Sequence, residues 1–524
     1  MKKGFSLIGL IVVFLEATFV CWLMVHVYSY LISLISSADS LTILDFSRDL
    51  LCGVPMGGWN LSHAPFLFPD AVIASFVLIF GWSNNFSLFT IAVINYSLFI
   101  IVSYLILKAA DNLNRVSLAG VGLMVTLSLL VITHVFPVPM RNIYWQIFAS
   151  GTHFGSAFMV ALILFSGKAF LKNSGMLCRV FFLFSFTVAT VVSDTMAFFL
   201  LMLWILSELL SCVWKDPKVR MDMIVVSFSM MIGEGLNMMI PHQSLAKGFF
   251  SMHLFMRGFH AFMGWAARSS EGVAFIVLLV ISSMVFPFLI QGRWPKFRKP
   301  MEGVFLGGDF VLPSLGIIVI FPMFFEDVGS LRYLVYPAYI LILCGVLVYL
   351  RLMELIKNDR LRTVIPFVCI FLICVQGSFI LKKISARSVD RIDAAKIYQC
   401  IKRASLEFPL DDGIASYWNA RPLKFYSNFK YYLAQTTPWS PKDGYFYWGN
   451  NGYDFIYKNT ATRLPRRYNY IIATNDEIKQ GLWGDVIYKS KHQVSQEGYT
   501  LFYFDREDIL WDFLLFRGPP LEMK

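Results

Sequence analysis

The most informative run of this sequence is Phe86-Ser-Leu-Phe-Thr-Ile-Ala-Val-Ile-Asn-Tyr-Ser-Leu-Phe-Ile-Ile-Val-Ser-Tyr-Leu-Ile-Leu107. It carries no charge, and it is as long as the ~20 residues that a helix needs to cross ~30 Å of hydrocarbon. Apolar runs of similar character recur at roughly residues 5–33, 116–136, 154–171, 178–192, 196–214, 222–240, 273–290, 303–325, 333–350 and 363–382. The sequence therefore predicts a mainly α-helical, polytopic bundle of about 11 transmembrane spans.

The composition excludes most classes of soluble protein. The chain has 524 residues, of which 57% are hydrophobic and 15% charged, and its mean hydropathy is +0.61. A water-soluble core does not hide that much apolar surface, so a soluble enzyme is excluded for the chain as a whole. The net charge of +11 does not indicate nucleic acid, because Lys and Arg are gathered in short clusters between apolar runs.

The basic clusters predict the orientation of the chain in the bilayer. They lie at every second connection: Lys2/Lys3, Lys108/Arg115, Lys168/Lys172/Arg179, Lys215/Lys218/Arg220, Arg293/Lys296/Arg298/Lys299 and Arg351/Lys357/Arg360/Arg362. By the positive-inside rule these connections and the N-terminus are cytoplasmic. The outward connections are then residues 34–85, 137–153, 193–195, 241–272, 326–332 and everything after about 383.

Two parts of the chain do not follow the spanning pattern. Residues 66–82 are apolar, but a span there would place every later basic cluster on the outer side of the membrane. We therefore interpret them as a helix at the outer interface, with a short twelfth span as the alternative. Residues 383–524 are more polar and contain strand-like runs such as Tyr470–Thr474 and Thr500–Phe504. They predict a small C-terminal extracytoplasmic α/β domain after a transmembrane module of residues 1–382.

The first outward loop, residues 34–85, carries the densest set of reactive side chains. If residues 45–49 are helical, Asp45 and Asp49 share one face with Arg48 beside them. Such a pair suits a base for a hydroxyl group or a ligand for a divalent cation. His63 and Asp70 follow in the same loop and are candidate substrate-binding residues. The alternative is a solvated helix face, with Asp70 as the N-cap of the interfacial helix.

Other outward connections supply polar groups at the same depth. We single out Arg141, His153 and Asp194, together with Arg332 and Tyr333. Placing an ionisable group at a membrane edge costs free energy unless the group is solvated, forms an ion pair or has a function. His153 is alternatively a helix-entry residue, and Arg332 is alternatively the ion-pair partner of the carboxylates at 326 and 327. Among the cysteines, only Cys52 and Cys400 are expected to face outward, and we favour two unpaired thiols over a disulfide.

Two short motifs, together with the architecture, carry a family resemblance. They are Ala64-Pro-Phe-Leu-Phe-Pro-Asp70 at the end of the acidic first loop and Arg332-Tyr-Leu-Val-Tyr-Pro337 late in the chain. With many spans, an inside N-terminus and an outward C-terminal domain, the chain resembles the GT-C integral-membrane glycosyltransferases. The similarity is strongest to bacterial inner-membrane enzymes that modify O-antigen or other surface glycans from polyprenyl-phosphate sugars.

The resemblance implies a specific chemistry. Asp45, with Asp49 as the runner-up, acts as the base or helps to hold a divalent cation such as Mg²⁺ or Mn²⁺, although the spacing Asp-x-x-x-Asp departs from the family's closer pairs. The phosphate and lipid of the donor would be bound by basic residues at the bilayer edge, for which Arg332 and Arg141 are the candidates, together with Tyr333. From their positions in the outward connections, His63, Asp70, His153 and Asp194 are candidate substrate-binding residues. The implied reaction transfers a hexose, such as glucose, to the O-antigen of lipopolysaccharide or another periplasmic glycan.

Two other functions stay open at this point. An O-antigen polymerase or ligase also acts outside on lipid-linked glycans, but it typically has its large outward loop in the middle of the chain. A polysaccharide or lipid transporter would show repeat symmetry and mid-bilayer ionisable residues, of which the sequence shows little. A structure discriminates between transfer and transport if Asp45 faces an outward cavity shared with Arg332 rather than a path through the bilayer.

Overall fold

The structure is a computed structural model. It describes residues 7–27, 38–54, 58–61, 64–109, 117–135, 143–144, 146–149, 151–165, 175–210, 217–240, 252–291, 308–324, 331, 333–355, 393–427, 430–437, 441–443, 445, 450–451, 455–459 and 464–515.

The first part of the chain is helical. Its helices are α1 (Leu7–Val27), α2 (Ala38–Leu51), α3 (Val72–Leu78), α4 (Asn84–Ala109), α5 (Leu118–Val135), α6 (His153–Phe165), α7 (Met176–Ser193), α8 (Thr195–Leu210), α9 (Pro217–Met239), α10 (Met252–Arg268), α11 (Ser270–Gln291), α12 (Gly308–Ile320) and α13 (Val335–Leu355). One large apolar core joins them, because their inner faces carry buried aliphatic and aromatic side chains.

The helices match the apolar runs of the sequence. Every predicted span except 363–382, which lies outside the described residues, contains one of them. In the described chain, two helices are long and apolar enough to cross a bilayer, Asn84–Lys108 and Met176–Ser193. The pair Met256–Arg268 and Ser270–Phe286 adds a third span if its 109° bend is counted within one span. The total of about 11 spans stays a prediction.

The first loop folds into short pieces. Helix α2 forms over Asp45 and Asp49, as the sequence indicated, and strand β1 (Trp59–Asn60) follows it. A π-helical turn over Leu67–Ala71 then leads into α3, which ends at Leu78. These elements are too short to cross ~30 Å of hydrocarbon. One side of α3 is exposed at Val72 and Phe76, as an interfacial helix requires.

Residues 393–515, here called the C-terminal α/β segment, contain a five-stranded mixed sheet. The elements of this segment are α14 (Asp393–Ala404), β2 (Asp412–Ser416), α15 (Tyr417–Tyr426), β3 (Leu433–Thr436), β4 (Asn450–Asn451), β5 (Tyr457–Asn459), β6 (Leu464–Pro465), β7 (Tyr468–Thr474), α16 (Asn475–Lys479), β8 (His492–Gln496), β9 (Tyr499–Tyr503) and α17 (Glu507–Leu515). The sheet order is β3-β2-β7-β9-β8, with β2 parallel to β3 and β7, and β9 antiparallel to β7 and β8.

Local sequence explains the strands and turns of this segment. The strand-like runs at 470–474 and 500–504 lie in the neighbouring strands β7 and β9. A capping box at Thr474, the last residue of β7, begins helix α16. Thr474 Oγ1 accepts a hydrogen bond from the Glu477 N–H, and the Glu477 carboxylate accepts one from the Thr474 N–H. The domain boundary at 383 lies outside the described residues and remains a prediction.

Candidate functional site

The C-terminal α/β segment rests on the acidic first loop through Asp45. Helix α15 packs against α2, and the Lys424 Nζ donates to Asp45 Oδ2 at 3.0 Å. The guanidinium of Arg421 lies 3.6 Å from the same oxygen. All three side chains are buried or nearly so, with exposures of 7% for Asp45, 14% for Lys424 and 3% for Arg421. The ion pair therefore joins two distant parts of the chain in a place that excludes most water.

Charge outweighs burial at Asp45. Burial alone would raise the pKa of this carboxyl, but Lys424, Arg421 and Arg48 together hold the pKa of Asp45 below its usual range. The carboxylate is therefore ionised and has a reduced affinity for a proton. The second oxygen, Oδ1, is buried and has no hydrogen-bond partner among the described residues.

Asp49 makes the second contact between the two parts. Its Oδ2 accepts from the Trp59 indole N–H and from the Asn451 side chain, each at 3.0 Å. Strand β1 pairs antiparallel with β4, which sets Trp59 opposite Asn451. Asp45 and Asp49 therefore lie on one face of α2, as the i, i+4 spacing predicted, and that face is buried. The alternative of a solvated helix face is wrong.

Asp70 lies in a second cluster, close to the turn that opens α6. Its Oδ1 accepts from the Gly151 N–H at 3.0 Å, and no side-chain cap bond is made to the helical turns around it. The N-cap alternative for Asp70 is therefore wrong as well. Oδ2 is buried without a hydrogen-bond partner in the described part of the chain. Burial, with a further contribution from the negative charge of Asp194, raises the pKa of Asp70 to about 8.

Two glycines make room for this carboxyl group. Gly151 has φ +68°, a backbone conformation that glycine adopts without steric cost, and this conformation accompanies the bond from its N–H to Asp70. At Gly155, an added Cβ would lie 2.8 Å from Asp70 Oδ2 and 3.1 Å from a Pro69 ring carbon. The motif Gly151-Thr-His-Phe-Gly155 thus surrounds Asp70 closely on one side.

His153 and Asp194 form a pair in the same cluster. His153 Nδ1 lies 2.8 Å from Asp194 Oδ2, and the two side chains are 12% and 1% exposed. The other oxygen of Asp194 accepts from the Met196 N–H at 2.9 Å, which satisfies a backbone donor at the start of α8. One carboxylate therefore begins a helix and orients an imidazole.

Aromatic rings fix the imidazole on two sides. The ring centroid of His153 lies 5.4 Å from that of Phe66 and 5.2 Å from that of Tyr333. Phe66 has φ +51°, which costs a non-glycine residue about 1 to 2 kcal/mol. Its N–H donates to the Ser193 carbonyl at 2.9 Å. The backbone of Phe66 is therefore strained, and its hydrogen bond to Ser193 at the end of α7 helps to hold it in the conformation that packs against His153.

Residues 66–71 connect the two clusters. The Ser47 hydroxyl, on α2 between Asp45 and Asp49, donates to the Ala71 carbonyl at 3.2 Å. On the other side, the Phe68 N–H donates to the Ser193 hydroxyl at 2.6 Å. The carboxylates of the first loop and the His153–Asp194 pair therefore belong to one continuous region at one end of the helices.

Some of the predicted site residues lie close together in the structure, and others lie outside the residues that it describes. Asp70, His153, Asp194 and Tyr333 come together, whereas Arg141, Arg332 and His63 lie outside the described residues. Sequence reasoning missed Lys424, Arg421 and Asn451. Lys424 is 379 residues from Asp45, and no local pattern indicates that pairing.

A divalent cation does not fit the surroundings of Asp45 well. Lys424, Arg421 and Arg48 already direct positive charge at that carboxylate, and they would repel a dication. Within the residues that the structure describes, no group of three or more His, Cys, Asp and Glu side chains is placed to hold a metal ion. Cys52 is exposed and Cys400 is buried, and both are free thiols.

Comparisons with known proteins find structural similarity without a sequence match. No family model matches the sequence, and no curated protein matches it. The chain is similar in fold to ArnT. The crystal structure of ArnT from Cupriavidus metallidurans bound to undecaprenyl phosphate aligns over 95% of this chain and 98% of that chain, with 13% sequence identity and a TM-score of 0.45.

Proposed function

We propose that this protein is a membrane glycosyltransferase. It transfers a hexose, such as glucose, from a polyprenyl-phosphate donor to a surface glycan such as O-antigen, on the periplasmic face of a bacterial inner membrane. The observation that carries the proposal is the meeting of Asp45, Asp70, His153 and Asp194 in one region at the end of an apolar helix bundle. The donor class comes from the GT-C resemblance of the sequence.

The chemistry of these side chains suits hydroxyl groups. A sugar acceptor attacks through a hydroxyl oxygen, so the site needs a group that receives a proton, and carboxylates and imidazole are the usual ones. The donor already carries a phosphate leaving group, so no nucleotide-binding loop is required. Asp45, with Asp49 as the runner-up, is the carboxylate for which the resemblance implies the role of base, and that role remains a proposal. The resemblance also implies a metal ligand there, but the positive charge of Lys424, Arg421 and Arg48 does not suit a divalent cation.

The proposed reaction is tested with purified protein in lipid nanodiscs. Given radiolabelled glucosyl polyprenyl phosphate and a lipid-linked surface glycan, we expect the label to move to the glycan. UDP-glucose should give no product, because the site then lacks its lipid-phosphate leaving group. Label that stays on the donor contradicts the proposal. Label that crosses proteoliposomes unchanged identifies a transporter, and joining of acceptor repeats identifies a polymerase.

The orientation is tested with two single-cysteine variants. Cys52, at the end of α2, and Cys178, near the start of α7, are both exposed thiols. Cys52 is predicted to be periplasmic, and Cys178 is predicted to lie at the cytoplasmic edge of the span 178–192. A membrane-impermeant maleimide should label the Cys52 variant in intact spheroplasts and the Cys178 variant only after permeabilisation. The reverse pattern would place the first loop in the cytosol and exclude a periplasmic reaction.

A further inference from the structure

The geometry of His153 is that of an oriented base. Its Nδ1 lies against the Asp194 carboxylate at 2.8 Å, and a carboxylate accepts a hydrogen bond there only from an Nδ1–H. In the neutral ring the proton then resides on Nδ1, and Nε2 presents a lone pair. Within the described residues, Nε2 makes no hydrogen bond. The ring is held by Phe66 and Tyr333, so this lone pair has a fixed direction.

Asp45 is less suited than His153 to receive a proton. Its Oδ2 is engaged by Lys424, and three cations stabilise its ionised form. The pair at His153 has the opposite electrostatics, because the Asp194 carboxylate stabilises the imidazolium that forms when Nε2 takes up a proton. The contact with Tyr333 also places His153 beside a residue that the resemblance assigns to the donor phosphate.

We infer that His153, oriented by Asp194, is the catalytic base that accepts the proton of the acceptor hydroxyl. The inference rests on the proposed glycosyl transfer and moves the proton-accepting role from Asp45 to His153. Asp194 is then a positioning residue. Asp45 serves to hold α15 of the C-terminal α/β segment on α2.

The step is balanced in atoms and charge. A lone pair of the acceptor oxygen forms the bond to the anomeric carbon, while the bond from that carbon to the phosphate oxygen breaks and leaves its electron pair on the phosphate. The hydroxyl proton passes to His153 Nε2. The donor phosphodiester, with one negative charge, becomes a phosphomonoester with two, and the new imidazolium supplies the compensating positive charge.

The first test is the variant His153→Gln, whose side chain can still donate to Asp194 but cannot take up a proton. We expect kcat/KM for transfer to fall about 10²- to 10⁴-fold.

The second test separates positioning from folding. In Asp194→Asn, the amide oxygen can still accept from the Met196 N–H, so α8 keeps its N-cap. The amide N–H now faces Nδ1 and favours the tautomer with the proton on Nε2, which removes the accepting lone pair. We expect a loss of at least about 10²-fold in kcat, with an unchanged elution profile in detergent.

Rescue and a matched control complete the design. Added imidazole should restore part of the activity of His153→Ala, which a purely structural role would not allow. His260→Gln should keep the parental rate, because His260 is exposed on α10. Among the described residues its contacts are with its own helix, at the Met256 carbonyl and the Phe259 ring.

The outcomes distinguish the two proposals. If the parent enzyme transfers hexose while His153→Gln keeps its rate and imidazole does not raise the activity of His153→Ala, the base assignment is wrong and the proposed function stands. If the parent enzyme transfers nothing from any polyprenyl-phosphate hexose, the proposed function itself fails.

Discussion

Asp45→Asn is expected to lower hexose transfer at least about 10²-fold. The variant leaves Lys424 and Arg421 in a buried place without their carboxylate. Removing one partner of a buried ion pair costs about 3 to 5 kcal/mol, because the remaining charge is no longer compensated. We therefore expect the C-terminal α/β segment to detach from α2 in most molecules. Transfer in nanodiscs and protease sensitivity of residues 393–515 measure the two effects.

A triple substitution separates the structural role of Asp45 from a chemical one. Asp45→Asn leaves two buried cations, Lys424 and Arg421, without their carboxylate. In Asp45→Asn/Arg421→Met/Lys424→Met all three buried charges are replaced by neutral groups, a change that is often close to neutral for stability. We expect protease resistance to return and transfer to recover about tenfold or more relative to Asp45→Asn. Recovered resistance without recovered transfer would show that Asp45 has a chemical role and would count against His153 as the base.

The matched control is an exposed ion pair of the same segment. Lys491 and Asp505 are 58% and 43% exposed, and solvent-exposed ion pairs contribute little to stability. Lys491→Met should therefore leave both transfer and protease sensitivity close to those of the parent protein. A loss similar to that of Asp45→Asn would mean that positive charge in general, and not the buried contact, attaches the segment.

Local features of the fold were predictable from the sequence because they depend on neighbours in the chain. The apolar run at 86–107 lies within helix α4, and the i, i+4 spacing placed Asp45 and Asp49 on one helix face. The run at 470–474 is rich in aromatic and β-branched residues, which predicted a strand, and it lies in β7. In each case the signal is carried by residues that are close together in the sequence, as an unbroken apolar run, a helical spacing or strand-forming residue types.

Pairings across the chain were not predictable from one sequence. His153 and Asp194 were singled out separately for their residue types, yet nothing in either segment specified that they touch. Lys424 was not considered, because a lysine near the end of a soluble helix is ordinarily solvated. Its burial depends on the packing of α15 against α2, which is decided by tertiary structure. Function-bearing contacts of this kind are set by the topology that brings distant elements together.

The second large effect is expected at Asp70, and it depends on pH. Burial raises the pKa of Asp70 to about 8, whereas a carboxyl of this type ordinarily titrates near 3.8. The folded protein thus binds the proton of Asp70 more tightly than the unfolded chain does. The contribution of Asp70 to stability is therefore fully present below about pH 4 and is lost as the pH rises to about 8. At ~1.4 kcal/mol per unit of pKa, the full loss is on the order of 5 kcal/mol.

Asp70→Asn should remove this dependence on pH. Its amide oxygen can accept from the Gly151 N–H as Asp70 Oδ1 does. An amide carries no charge, so its burial has no cost that depends on pH. At pH 5 the variant should resemble the parent protein in unfolding by SDS, and at pH 8 it should be more stable by several kcal/mol. Asp45→Asn is the control: the lowered pKa of Asp45 confines its titration to pH values below about 4, so its effect on stability should be equal at pH 5 and pH 8. A stability difference for Asp70→Asn that is also equal at both pH values would mean that Asp70 is already ionised at pH 5, which its burial against Gly155 argues against.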